Sequence, residues 1–135
     1  MNRRRELTFS QEDMRYLDAN HPEWESLAAQ NLVLLHNFQV PTGYTVASAT
    51  VAIIIPSNYP IQGLDMAYFF PELKRVDGQR IPQTEVNMQI DGHAYQRWSR
   101  HYTKTKWRPD EDSIATHVMA ISDWLTREFE RRSIA

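Results

Sequence analysis

The chain has 135 residues, 41% of them apolar and 11% aromatic, with a formal net charge of -2. That is one domain of ordinary size, expected to span residues 1–135 with a core of about 8–132, and its near-neutral charge points to neither a nucleic-acid nor a membrane partner. It contains no cysteine, which excludes disulfides, thiolate metal sites and thiol catalysis.

The first five residues include Arg3, Arg4 and Arg5, but residues 6–10 supply no apolar stretch of the kind a secretory signal needs. The longest apolar run, 51–55, is far too short to span a bilayer. The cytoplasm is therefore the expected compartment. Ser10 is placed to cap a first helix, with Asp13 at its third position and Met14 and Leu17 on one apolar face. That helix should stop near Asn20, ahead of His21 and Pro22. Leu32, Val33, Leu34 and Leu35, running on to Val40, read as a strand. After a turn over 41–44, residues 45–55 are rich in β-branched side chains and end in Ile53, Ile54 and Ile55, a strand end buried on both faces. Pro56 and Pro60 break it. Residues 64–70 give a third strand, closed by Pro71, and the short connections predict an antiparallel meander.

Residues 71–106 are polar and rich in turn formers, with turn signals at Asp77-Gly78 and Asp91-Gly92. Their weak periodicity predicts a long structured loop, and long loops in compact domains often carry function. Pro109, Asp110, Glu111, Asp112 and Ser113 then lead into a closing helix. Ile114, Val118, Ile121, Leu125 and Phe129 recur at spacings of three and four, with Arg127, Arg131 and Arg132 near the C-terminal end. The expected class is α+β: an N-terminal helix, an antiparallel β-meander, a long loop and a C-terminal helix.

Several landmarks in this order resemble the ubiquitin-conjugating enzyme family. Ile53-Ile54-Ile55-Pro56 followed by Tyr59-Pro60 is similar to that family's strand and Tyr-Pro signature. Phe70-Pro71 resembles the end of its next strand. Trp107-Arg108-Pro109 resembles the Trp-x-Pro that starts the helix after its active site. The family's catalytic cysteine lies eight residues before this tryptophan, and here that position is Ser99. Arg97-Trp98-Ser99-Arg100-His101 resembles a bacterial subgroup associated with ubiquitin-like modifier operons, which also encode an activating enzyme and a peptidase. The family's His-Pro-Asn motif is missing, the stretch near Met88, Gln89 and Ile90 standing in its place, and so are two C-terminal helices. The resemblance covers roughly residues 8–132.

The resemblance implies a carrier that accepts the C-terminal carboxyl of a ubiquitin-like modifier from an activating enzyme. Ser99 would hold the acyl group as an oxyester and pass it onward. A serine hydroxyl needs a base, and His101 and His93 are the candidates nearby. Ser99 and His101 point to the same side of an extended chain, so a direct bond between them requires the backbone to bend. Arg97 and Arg100 could offset charge on a tetrahedral intermediate, and Trp98 is the aromatic expected to orient the site. Arg97, Trp98 and Arg100 are thus the expected partner-binding residues. No cofactor and no metal is expected, since no pair among the five histidines has zinc-ligand spacing.

The alternatives stay open on sequence. Ser99 is either a native nucleophile or a replacement that marks a cysteine position, and the Arg97–His101 motif favours the first. A catalytically inactive scaffold that binds the modifier or activating enzyme would carry the same landmarks. Arg97, Arg100, Lys104, Lys106 and Arg108 interleaved with aromatics also imitate a single-stranded nucleic-acid groove, against which the net charge argues. The plain reading of most of these charges is a solvated loop. Trp107 and Trp124 are expected in the core and His117 on the helix surface or core edge. Asp110 and Asp112 are expected as helix-capping acids.

Overall fold

The structure, a computed structural model, describes residues 3–102 and 106–133. Helix α1 spans Gln11–Asn20, and the Ser10 hydroxyl accepts from the Asp13 N–H as an N-cap. It ends at His21, where Pro22 follows. Strands β1 (Glu25–Leu27), β2 (Leu32–Gln39), β3 (Ser48–Ile54) and β4 (Ala67–Phe70) pair antiparallel in succession. The meander is as expected, with an added first strand too short for any periodicity to reveal. β4 starts at Ala67 rather than residue 64, because Met66 adopts a left-handed φ of 55° that breaks the ladder.

The long loop expected over 71–106 contains a hairpin. Strands β5 (Asn87–Ile90) and β6 (His93–Trp98) meet at Asp91 and Gly92, whose φ values of 50° and 82° make the mirror-image turn that suits tight hairpins. β6 also pairs with β4, giving one six-stranded sheet in the order β1-β2-β3-β4-β6-β5. The turn signal was legible in the sequence. The flanking Gln89, Gln96 and Arg97 hid the strands, because these polar side chains obscure the alternation that marks a half-buried strand.

Helix α2 (Ile114–Ser133) lies against one sheet face, burying Ile114, Val118, Ile121 and Leu125. The main core there includes Leu17, Trp24, Val33, Ile53, Phe69 and Trp98. The opposite sheet face holds a second buried cluster: Leu27, Leu32, Leu34, Ala52, Tyr68, Ile90 and Tyr95. It is closed by curling the sheet until its ends meet. Arg4 bonds Glu25 of β1 and Asp91 of the β5–β6 turn at once, and the Gln30 amide donates to the Gln89 carbonyl.

The sequence landmarks meet in space. Buried Asp13 accepts from the Tyr59 hydroxyl at 2.7 Å and from the Ile114 N–H at 3.2 Å, so α1 caps α2. The Trp107 indole donates to the Pro60 carbonyl at 2.8 Å and lies over Gly63, where any Cβ would overlap the ring. Tyr-Pro and Trp-x-Pro are thus two halves of one contact. It fixes the loop of residues 56–66, which leads to the site.

Candidate active site

β6 ends at Trp98, and the chain then bends away from the sheet. The Ser99 N–H donates to the Gln83 carbonyl, and the Arg100 carbonyl accepts from the Met66 N–H. The bend turns His101 back towards Ser99, with Ser99 Oγ 3.5 Å from His101 Nε2. This is the long end of hydrogen-bond distance, as is usual for a resting nucleophile and its base. His101 Nδ1 lies 3.0 and 2.9 Å from the two carboxylate oxygens of Asp65. A carboxylate only accepts, so Nδ1 carries the proton and Nε2 offers its lone pair to the serine. Ser99, His101 and Asp65 therefore form a hydroxyl–imidazole–carboxylate relay. Ser99 is half-buried, whereas the His101 and Asp65 side chains are 58% and 48% exposed.

Sequence reasoning passed over Asp65. It lies 34 positions before Ser99 on another element, and no local spacing links the two. What places it is His117, which sits on α2 and is fully buried, not on the helix surface. His117 Nε2 donates to the Met66 carbonyl at 2.9 Å, and its Nδ1 accepts from the Tyr102 hydroxyl at 2.6 Å. One imidazole thus holds the neighbours of both Asp65 and His101. Burial keeps it neutral by pushing its pKa down, and burial pushes the Tyr102 hydroxyl up. The left-handed Met66, a conformation costing about 1–2 kcal/mol in a non-glycine residue, is anchored through both its N–H and its carbonyl.

The other expected site residues are placed differently. His93 opens β6, six residues and about 20 Å of extended chain from Ser99, and stacks on Phe70 with ring centroids 4.3 Å apart. The structure does not bring it to the serine. Trp98 is fully buried, packs edge-on against Phe69 and Tyr44, and donates to Gln96. Strand alternation turns it into the core, away from any partner. Arg100 is also turned inward: it donates to the Pro82 and Ser99 carbonyls, pairs with buried Glu128 at 3.6 Å, and lies over the Trp98 ring. It braces the backbone on either side of the bend and presents no charge to a partner. Arg97 is half-buried, with its Nε hydrogen-bonded to nothing among the described residues.

The expected basic patch is smaller than the sequence suggests. Lys106 and Arg108 are exposed, and Arg108 pairs with Glu111. Lys104 lies outside the described residues, as do the side chains of Arg131 and Arg132. Trp107 and Trp124 are half-buried against the main core. Asp112 accepts from the Arg108 N–H, and Ser113 is capped by the Thr116 hydroxyl. The chain beside Ser99 is 82–84, whose Gln83 carbonyl accepts from the Ser99 N–H, while the stretch near Met88, Gln89 and Ile90 is taken up by the hairpin. Among the described residues, no group of three or more His, Asp or Glu could hold a metal ion, and no helix is long and apolar enough to cross a membrane.

A comparison with family models decides what this scaffold is: the model of Prokaryotic E2 family E matches residues 9–128. The chain belongs to that family. No curated protein and no solved structure matches it. Membership makes this a bacterial, ubiquitin-conjugating-like protein, in a family that works with a modifier and an activating enzyme. The curled sheet between an N-terminal and a C-terminal helix fits the fold of this E2-like family.

Proposed function

We propose that this E2-like chain accepts the C-terminal acyl group of a ubiquitin-like modifier from an activating enzyme as an oxyester on Ser99. The single observation that supports this is the Ser99–His101–Asp65 relay at the position where the family resemblance sets the nucleophile. A thiol is nucleophilic without help, whereas a serine hydroxyl requires a base within reach. His101 Nε2 takes the hydroxyl proton as Oγ attacks the acyl carbon, and returns it to the departing group of the donor. Asp65 holds the ring in the needed tautomer and favours the imidazolium that forms. Arg97 is the remaining cation of the motif available to the developing negative charge.

The test mixes the full chain with its cognate activating enzyme, modifier and ATP. The expected product is an adduct that survives thiol reductant, is cleaved by mild base, and disappears in Ser99→Ala. An adduct of the same yield in Ser99→Ala would show that another group is the acceptor. The scaffold reading, favoured by the lack of any cysteine, instead expects tight binding of the modifier or activating enzyme with no covalent species.

A further inference from the structure

We propose that the Ser99–His101–Asp65 relay also makes this chain an ester hydrolase, with water as the acyl acceptor and no partner protein required. The inference shares its nucleophile with the carrier reading but needs neither modifier nor activating enzyme. Every group that the chemistry uses is on this chain and already in contact: Oγ at 3.5 Å from Nε2, and Nδ1 at 2.9 Å from the carboxylate. A thiol carrier holds its acyl group as a thioester, which amines attack readily and which requires no base beside it. An oxyester is a poorer electrophile towards amines. A site that pairs an oxyester with a fixed imidazole is suited to an acceptor whose proton must be removed during attack. Water is such an acceptor, and it has access: the two side chains behind the serine are about half exposed.

The cycle balances without any further reactant. In acylation, the Oγ–carbon bond forms, the bond from carbon to the leaving alcohol or thiol breaks, and the serine proton passes through Nε2 to that leaving group. In deacylation, Nε2 takes a proton from water, the water oxygen bonds to the acyl carbon, the Oγ–carbon bond breaks, and the proton returns to Oγ. The net change is an ester or thioester plus water giving an acid plus an alcohol or thiol. Asp65 is a positioning residue in both halves, holding the ring so that the same nitrogen faces first serine and then water.

The test uses the full chain alone with p-nitrophenyl acetate, following nitrophenolate release and locating the acetyl group by peptide mass mapping. The expected result is turnover above the buffer rate, an acetyl group on Ser99, and loss of both in Ser99→Ala, whose thermal melt checks that it is folded. His101→Ala should lower the rate by about 100-fold or more. Asp65→Asn should lower the maximum rate while leaving KM unchanged, a split that a change in folding alone would not produce. Turnover equal in wild type and Ser99→Ala would overturn the proposal. So would a single burst of nitrophenolate with stable acetyl-Ser99, because water would then not be an acceptor. A modifier adduct on Ser99 without ester turnover would sink the hydrolase and leave the carrier standing. Ester turnover without an adduct would do the reverse.

Discussion

Among the described residues, two hydroxyl–imidazole–carboxylate chains stand out, and their comparison shows what makes one of them a candidate site. In the first, Thr50 Oγ1 lies 3.1 Å from His36 Nδ1, and His36 Nε2 lies 2.9 Å from Glu25. In the second, Ser99 faces His101 and His101 bonds Asp65. The ring contacts are alike. The carboxylates are not. Arg4 grips Glu25 through Nε and Nη2, and those bonds hold the Glu25 carboxyl down from 4.5 to about 2. Its charge is already neutralised by a guanidinium that also ties β1 to the β5–β6 turn. Among the described residues, Asp65 hydrogen-bonds His101 alone, and no guanidinium shares its carboxylate. The hydroxyls differ as well. Thr50 sits inside β3 opposite Phe70, with strands on both sides, whereas Ser99 stands just past the end of β6. The same three groups serve as a clasp in one place and as a proton relay in the other, according to what else holds the carboxylate.

The comparison is most directly broken at the histidines. His101→Ala should slow acylation of Ser99 by about 10²–10⁴-fold, while His36→Ala leaves the rate unchanged and no acyl group is found on Thr50. Equal loss from both, measured as adduct formed per unit time, would mean that the relay geometry is not what matters. The loop that carries Asp65 gives the next largest effect. Gly63→Ala forces a methyl group against the Trp107 ring and should cost about 1–3 kcal/mol in thermal or denaturant unfolding, with slower acylation as Asp65 shifts. Unchanged stability would place the Tyr59-to-Trp107 contact outside the cooperative core.

The smallest effect should come from Glu25→Gln, about 1 kcal/mol of stability because Arg4 is partly exposed, with no change in acylation. It also separates the two chains by pH. The Glu25 carboxyl is lowered from 4.5 to about 2 in the folded protein, so its contribution is complete above pH 4.5 and fades as pH falls towards 2. His117, lowered from 6.5 by burial, likewise favours the folded state above its ordinary value, and begins to destabilise as pH falls below it. Unfolding free energy should therefore fall in two stages on acidification. Glu25→Gln should shrink the second stage, to which Asp91, also lowered by its bonds to Arg4, still contributes, and leave the first unchanged, as followed by denaturant melts across pH.

Local chemistry in the sequence determined a good deal: the capped helix ending at Asn20, the meander of β2 to β4 and the apolar stripe of α2. These follow from side-chain periodicity, proline and capping residues, all of which act over a few neighbouring residues, whereas Ser99 was marked by the resemblance to the ubiquitin-conjugating enzymes. The tertiary structure alone decided the rest. The β5–β6 hairpin was hidden because its strands are polar by sequence and become buried only when the sheet curls and Arg4 clasps its ends. Trp98 and Arg100 look like surface recognition residues in a basic motif, yet strand alternation and buried Glu128 turn them inward. Asp65 and His101 come from separate elements and are brought together by a strained Met66 and the buried His117. A serine and a histidine two residues apart are ordinary in any sequence; a third residue 34 positions upstream, fixed by packing, makes them a relay.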